Sequence, residues 1–149
     1  MKVLDNVSAV LKQKGIQIWS ISPEATVYEA LRMMADKEIG ALVVMEAGQV
    51  AGIFSERDYA RKVVLQGRSS QETKVSEVMN SPARTIEPDC SVDEAMHIMT
   101  ERRLRHLPIT NCEGALLGLV SIGDLVKWII TSHESTIEQL QSYISGQAS

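Results

Sequence analysis

Two four-residue segments, Ser55-Glu56-Arg57-Asp58 and Ser121-Ile122-Gly123-Asp124, carry a Ser and an Asp at the same spacing. An ionised carboxylate accepts hydrogen bonds from two adjacent hydroxyls, so an Asp at the start of a helix suits the ribose of a nucleoside. A Ser at the preceding strand end can join the first free N–H groups of that helix on a phosphate or ribose oxygen. The same spacing also serves a helix cap, which by itself asks for no ligand. The chemistry on offer is recognition rather than bond breaking. No Ser-His-Asp set, His-Glu-x-x-His pair or Walker-type glycine loop occurs in the sequence, so catalysis lacks its machinery. Met33, Met34, Met96 and Met99 fall at helical spacing within apolar faces and read as core filler rather than a soft-metal site. His97, His133, Cys90 and Cys112 have no metal-type spacing, and no metal is expected.

The elements that position these residues occur twice. Ile21-Ser22-Pro23-Glu24-Ala25-Thr26-Val27-Tyr28-Glu29-Ala30 matches Ile86-Glu87-Pro88-Asp89-Cys90-Ser91-Val92-Asp93-Glu94-Ala95 at an offset of 65, and Gly52, Ser55 and Asp58 match Gly118, Ser121 and Asp124 at 66. Each copy reads as strand, helix, strand, strand, helix. Thr26 with Glu29, and Ser91 with Glu94, have the spacing of a capping box, which starts a helix at each. Val27, Ala30, Leu31 and Met34, then Val92, Ala95, Met96 and Met99, recur as one buried helical face. Two short apolar strands follow in each copy, split by a turn at Ala47-Gly48 and at Glu113-Gly114. Second helices are expected over Asp58 to Val64 and Asp124 to Ile130. Outside these units lie an amphipathic stretch, Val3 to Leu11, a polar linker, Gln66 to Lys74, and a C-terminal helix near Ser135 to Ile144.

The chain has 149 residues, 44% hydrophobic and 23% charged, with aromatics at only 4%. That length supports one compact unit burying roughly 70% of its unfolded surface, around an aliphatic core. No apolar run approaches the roughly 18 residues needed to cross a bilayer, and Asp5 and Asn6 interrupt the start where a signal peptide needs its apolar stretch. A cytoplasmic protein with free thiols is expected. The net charge of −4 argues against a broad nucleic-acid surface, so any anion site must be local.

Gly52-Ile53-Phe54-Ser55-Glu56-Arg57-Asp58 and Gly118-Leu119-Val120-Ser121-Ile122-Gly123-Asp124 resemble the G-h-x-S/T-x-x-D signature of cystathionine β-synthase (CBS) domains. Ser55 to Lys62, followed by Gln66 to Ser70, looks more particularly like the stand-alone CBS pairs of bacteria and plant organelles. The resemblance implies an α/β (α+β) fold in which two β-α-β-β-α repeats, residues 16–66 and 75–131, form a pseudo-two-fold pair. Segments 1–15 and 132–149 would add terminal helices. It implies no catalysis, but regulatory binding of an adenine nucleotide, AMP, ADP, ATP or NAD(H), with output to an unidentified partner protein. A constitutive scaffold with vestigial clefts is the alternative.

In that family each cleft combines the turn of one copy with the first two strands of the other. Ser55 and Asp58 are therefore expected to face Thr85, Ile86, Arg105, His106 and Leu107, with Arg57 and Lys62 adding positive charge. Ser121, Gly123 and Asp124 are expected to face Ser20, Ile21, Gly40, Ala41 and Leu42. Only the first cleft has strand-borne basic groups, which makes Asp58 the expected principal ribose acceptor. The resemblance also implies a homodimer through helix faces.

Overall fold

The computed structural model of the chain describes residues 5–15 and 18–132. Along it run α1 (Val7–Lys14), β1 (Ser20–Ile21), α2 (Val27–Lys37), β2 (Ala41–Glu46), β3 (Gln49–Ser55) and α3 (Glu56–Asp58), which passes directly into a π-helical stretch (Tyr59–Val64). Then follow α4 (Val75–Val78), α5 (Val92–Arg102), β4 (His106–Thr110) and β5 (Leu116–Ser121), and α6, helical over 122–132.

The caps fall where the sequence places them. Thr26 Oγ1 accepts from the Glu29 N–H at 3.1 Å while Glu29 Oε2 accepts from the Thr26 N–H at 3.3 Å, and Ser91 Oγ accepts from the Glu94 N–H at 3.0 Å. Each satisfies backbone donors that the first helical turn leaves free. β2 and β3 pair antiparallel from Ala41↔Ser55 to Glu46↔Gln49. Their turn holds Ala47 at φ 51° and Gly48 at φ 77°, two successive positive values that match the right-handed twist of a hairpin. β4 and β5 pair in the same way, with His106 opposite Ser121. The first strands are weaker than the repeat suggests. β1 is two residues long, parallel to β2, and its counterpart in the second copy is a single bridge, Ile86↔Ile109.

The packing exchanges the leading segments between the copies. One core cluster joins Val27, Ala30 and Met34 of α2 to Leu42, Val44, Phe54 and Val63, and is completed by Val75 and Val78 of α4. The other joins Val92, Ala95 and Met99 of α5 to Leu107, Ile109, Val120 and Leu125, and is completed by Val7 and Val10 of α1. The hydrogen bonds repeat as well. Val75 N–H donates to Ala25 O and Val27 N–H to Thr73 O, both at 2.8 Å; Val7 N–H donates to Cys90 O at 2.9 Å and Val92 N–H to Asp5 O at 2.8 Å. So α1, expected to lie outside the repeats, is a part of the second copy's core, and the chain at 75–78 is a part of the first's. At eight residues α1 is too short to persist alone. Burial of two valines, each worth at least ~1.5 kcal/mol, holds it in place.

Two expectations need correction at the helices that follow the motifs. Both begin inside the Ser-x-x-Asp turn rather than at its Asp, with helical backbone from residues 56 and 122. In the first copy the helix then widens, with the Leu65 N–H reaching Ala60 O at 3.0 Å. The expected C-terminal helix at Ser135 to Ile144, and His133, lie outside the described residues.

Candidate ligand-binding site

In the first copy Ser55 is the N-cap and Asp58 the third helical residue. Ser55 Oγ accepts from the Asp58 N–H at 3.2 Å, and Asp58 Oδ2 accepts from both the N–H and the hydroxyl of Ser55 at 2.9 Å. The other oxygen, Oδ1, accepts from Asn80 Nδ2 at 2.9 Å and lies 3.5 Å from the Lys62 ammonium. Lys62 also donates to Val78 O at 3.1 Å and to Asn80 Oδ1 at 3.0 Å. Asp58 is only 6% exposed. A carboxylate that buried must be paired, and both of its oxygens are engaged by the protein.

In the second copy the cap is the same. Ser121 Oγ accepts from the Asp124 N–H at 3.0 Å, and Asp124 Oδ2 accepts from the Ser121 N–H at 2.8 Å. The remaining partner differs: Lys14, from the last turn of α1, donates to Asp124 Oδ2 at 2.7 Å and to Leu119 O at 3.0 Å. Asp124 Oδ1 has no protein partner among the described residues. The Asp124 side chain is 24% exposed. Partial burial pushes its carboxyl up, but the hydrogen bonds from Lys14 and the Ser121 N–H outweigh this and hold it below the usual carboxylate range.

His106 stands opposite Ser121 in the β4–β5 register, where the first copy has Ala41 opposite Ser55. Burial and then the Lys14 and Arg105 charges push its imidazole below the ordinary range, while the carboxylates of Asp124 and of Asp58 act the other way. Both motif carboxylates therefore act on one histidine.

The other expected site residues divide by burial. Ile86, Leu107 and Ala41 are buried, the side chains of Ile86 and Leu107 belong to the core of the second copy, and the Ile86 N–H and carbonyl are both engaged, by Pro108 O at 3.0 Å and the Thr110 N–H at 2.9 Å. Arg57, Arg105, Ser20, Gly40 and Gly123 are exposed, and Thr85 and Ile21 half-buried. Two contributors, Asn80 and Lys14, are absent from the expected set. The signal that leads to them is the pair Val7-Ser8-Ala9-Val10 and Val75-Ser76-Glu77-Val78, a V-S-x-V repeat just upstream of each.

An open groove of about 620 Å³ lies on the outer face of α2, lined by Tyr28, Arg32 and Asp36 among others. It touches neither motif, so volume and chemistry point to different places; the repeated carboxylates carry the argument. Among the described residues no group of His, Cys, Asp or Glu could hold a metal ion, and no helix is long and apolar enough to cross a membrane.

A family model of the CBS domain matches residues 14–65 and again 75–131. The chain is 39% identical over 150 residues to the mitochondrial CBS domain-containing protein CBSX3 of Arabidopsis thaliana, covering 94% of this chain and 72% of that protein. It is 35% identical over 119 residues to the CBS domain-containing protein YhcV of Bacillus subtilis, covering 80% and 84%. A solved structure of a protein with CBS domains from Burkholderia ambifaria superposes with a TM-score of 0.81 at 49% identity, over 85% of this chain and 95% of that one. With the motif, its cap and the flanking strands present twice, the chain belongs to the CBS-domain family and carries a tandem pair of its domains.

Proposed function

We propose that this pair is a sensor that binds an adenine nucleotide, AMP, ADP, ATP or NAD(H), and thereby modulates a partner protein. CBS domain pairs are generally regulatory, ligand-binding modules. The observation that carries the nucleotide reading is Asp124, a carboxylate fixed at a helix start with one oxygen unclaimed by the described residues. A ribose diol needs such an acceptor. Ser121 and the Gly123 N–H at the start of α6 suit the adjoining oxygens. His106 stands opposite Ser121, so its ring N–H and the neighbouring Arg105 guanidinium are assigned to phosphate on the Asp124 side rather than in the expected Asp58 cleft. Counting acceptors reverses the ranking drawn from strand-borne charge: Asp124 is the readier ribose site and Asp58 the more occupied one.

Thermal unfolding with a panel of nucleotides tests this. A ligand at 100 times its Kd adds about 2.7 kcal/mol, or roughly 5 to 10 °C at this size. No shift beyond about a degree with any adenine nucleotide at millimolar concentration sinks the reading. The scaffold alternative is favoured by one observation, the full engagement of Asp58, and the same panel decides it.

The proposal includes a homodimer. Val64 and Leu65 after the first motif, and Val126 and Ile130 on α6, are large apolar side chains 39–75% exposed, more than isolated surface positions require. Light scattering at twice the 16.4 kDa chain mass supports it, and a monomer at tens of micromolar overturns it. A cytoplasmic setting fits the free thiols Cys90 and Cys112.

A further inference from the structure

We propose that Lys14 is a tethered competitor for the Ser121–Asp124 turn, so that a nucleotide binding there displaces it and loosens α1. The proposal rests on the nucleotide reading of that turn. A carboxylate oxygen offers two lone pairs, and both of those on Asp124 Oδ2 are taken, by the Ser121 N–H at 2.8 Å and by Lys14 at 2.7 Å, so a diol that engages the second oxygen as well as Oδ1 meets Lys14. The ammonium, a donor only, occupies the acceptor the ribose needs. Beside it, the slot between α1 and β5, lined by Leu11, Lys14, Gly15 and Leu119, holds only about 10 Å³, no more than a water. That slot leaves no space for a ligand group beside Lys14 while α1 stays in place.

The contact is built to open. Lys14 and Asp124 side chains are 40% and 24% exposed, and ion pairs of that kind are weak. Its counterpart in the first copy is not: Asn80 is fixed by two backbone hydrogen bonds with Ile53, at 3.0 and 2.8 Å. Release of Lys14 has somewhere to go. Leu11, one turn earlier, packs on Gly118, where an added Cβ would lie 2.7 Å from Leu11 Cδ2. At the other end of the same segment, the Trp128 indole N–H of α6 donates to Asp5 Oδ2 at 2.9 Å. Loss of one anchor of α1 therefore reaches a helix on the far side of the motif through direct contacts.

Calorimetry with AMP and with NAD on wild type, Lys14→Met and Asp124→Asn, with hydrogen exchange of residues 11–15, tests the idea. Lys14→Met keeps the apolar stem and removes the competitor, so affinity should rise about two- to fivefold. In wild type the nucleotide should speed amide exchange at 11–15, the reverse of ordinary ligand protection. Unchanged or weakened binding in Lys14→Met overturns the proposal alone; weakened binding would make Lys14 a phosphate contact. Binding that survives Asp124→Asn undiminished overturns it too, by assigning the ligand to the other turn. No binding of either nucleotide to any of the three proteins removes the nucleotide reading and the proposal with it.

Discussion

At Asp58 the protein's own donor arrives on a strand-like segment, and at Asp124 it arrives at the end of a helix. Both come from equivalent places, since α4 packs on the first copy as α1 packs on the second. The divergence begins one residue past the shared valines. Ser81-Pro82 follows α4; a proline lacks an N–H and disfavours helical backbone in the residue before it, so this helix has to end short of Ser81. The helix stops at Val78, Met79 turns extended at ψ 158°, and Asn80 pairs with Ile53. α1 meets no proline and continues to Lys14 before Gly15 ends it at φ 91°. One more helical turn replaces a backbone-anchored amide by a long ammonium. Two copies with the same motif thus acquire a closed, buried carboxylate and a half-open one, and the difference is set outside the motif.

The largest effect should come from the two motif glycines. A Cβ at Gly52 would stand 2.5 Å from Asn80 O, whereas one at Gly118 would meet only the Leu11 side chain, at 2.7 Å. Backbone held by two hydrogen bonds cannot retreat as a leucine rotamer can. Gly52→Ala should therefore cost about 3 kcal/mol and Gly118→Ala about 1 kcal/mol in urea unfolding. The reverse order would mean that the Asn80 segment is no firmer than α1.

A smaller difference is expected between the donors themselves. Asn80→Ala leaves Asp58 Oδ1 buried with the Lys62 ammonium as its remaining partner, 3.5 Å away, and should cost about 2 kcal/mol. Lys14→Met breaks a partly exposed pair and should cost less than about 1 kcal/mol. Equal costs by chemical denaturation would dissolve the contrast between a closed and a half-open turn.

The smallest effect is in pH. His106 is less basic in the folded protein than its ordinary value of 6.5, because burial and the Lys14 charge disfavour its imidazolium. Below that value the unfolded chain binds more protons than the folded one, so this stability is complete above about pH 6.5 and is lost as pH falls through the folded pKa. The first copy has Ala41 in this place and contributes no such slope. His106→Gln should flatten the melting temperature between pH 7 and 5 relative to wild type; an unchanged profile would show that another group sets it.

What the sequence determined by itself is what local spacing dictates. The caps at Thr26 and Ser91, the apolar faces of α2 and α5, the hairpin turn at Ala47-Gly48 and the doubled Ser-x-x-Asp all depend on residues within a few positions of one another, and the repeat made each one visible twice. Placing α1 and α4 was harder. Their V-S-x-V match is short, sits at a slightly different offset from the rest, and says nothing of which copy each helix covers; only the packing of Val7 and Val10 against α5 and β5, and of Val75 and Val78 against α2 and β3, decides that. The state of the two carboxylates lay further out of reach. Whether an Asp is sealed or available depends on side chains distant in the chain, Asn80 for Asp58 and Lys14 for Asp124. Hydrogen bonds form between neighbours in space, and the tertiary fold alone chooses those neighbours.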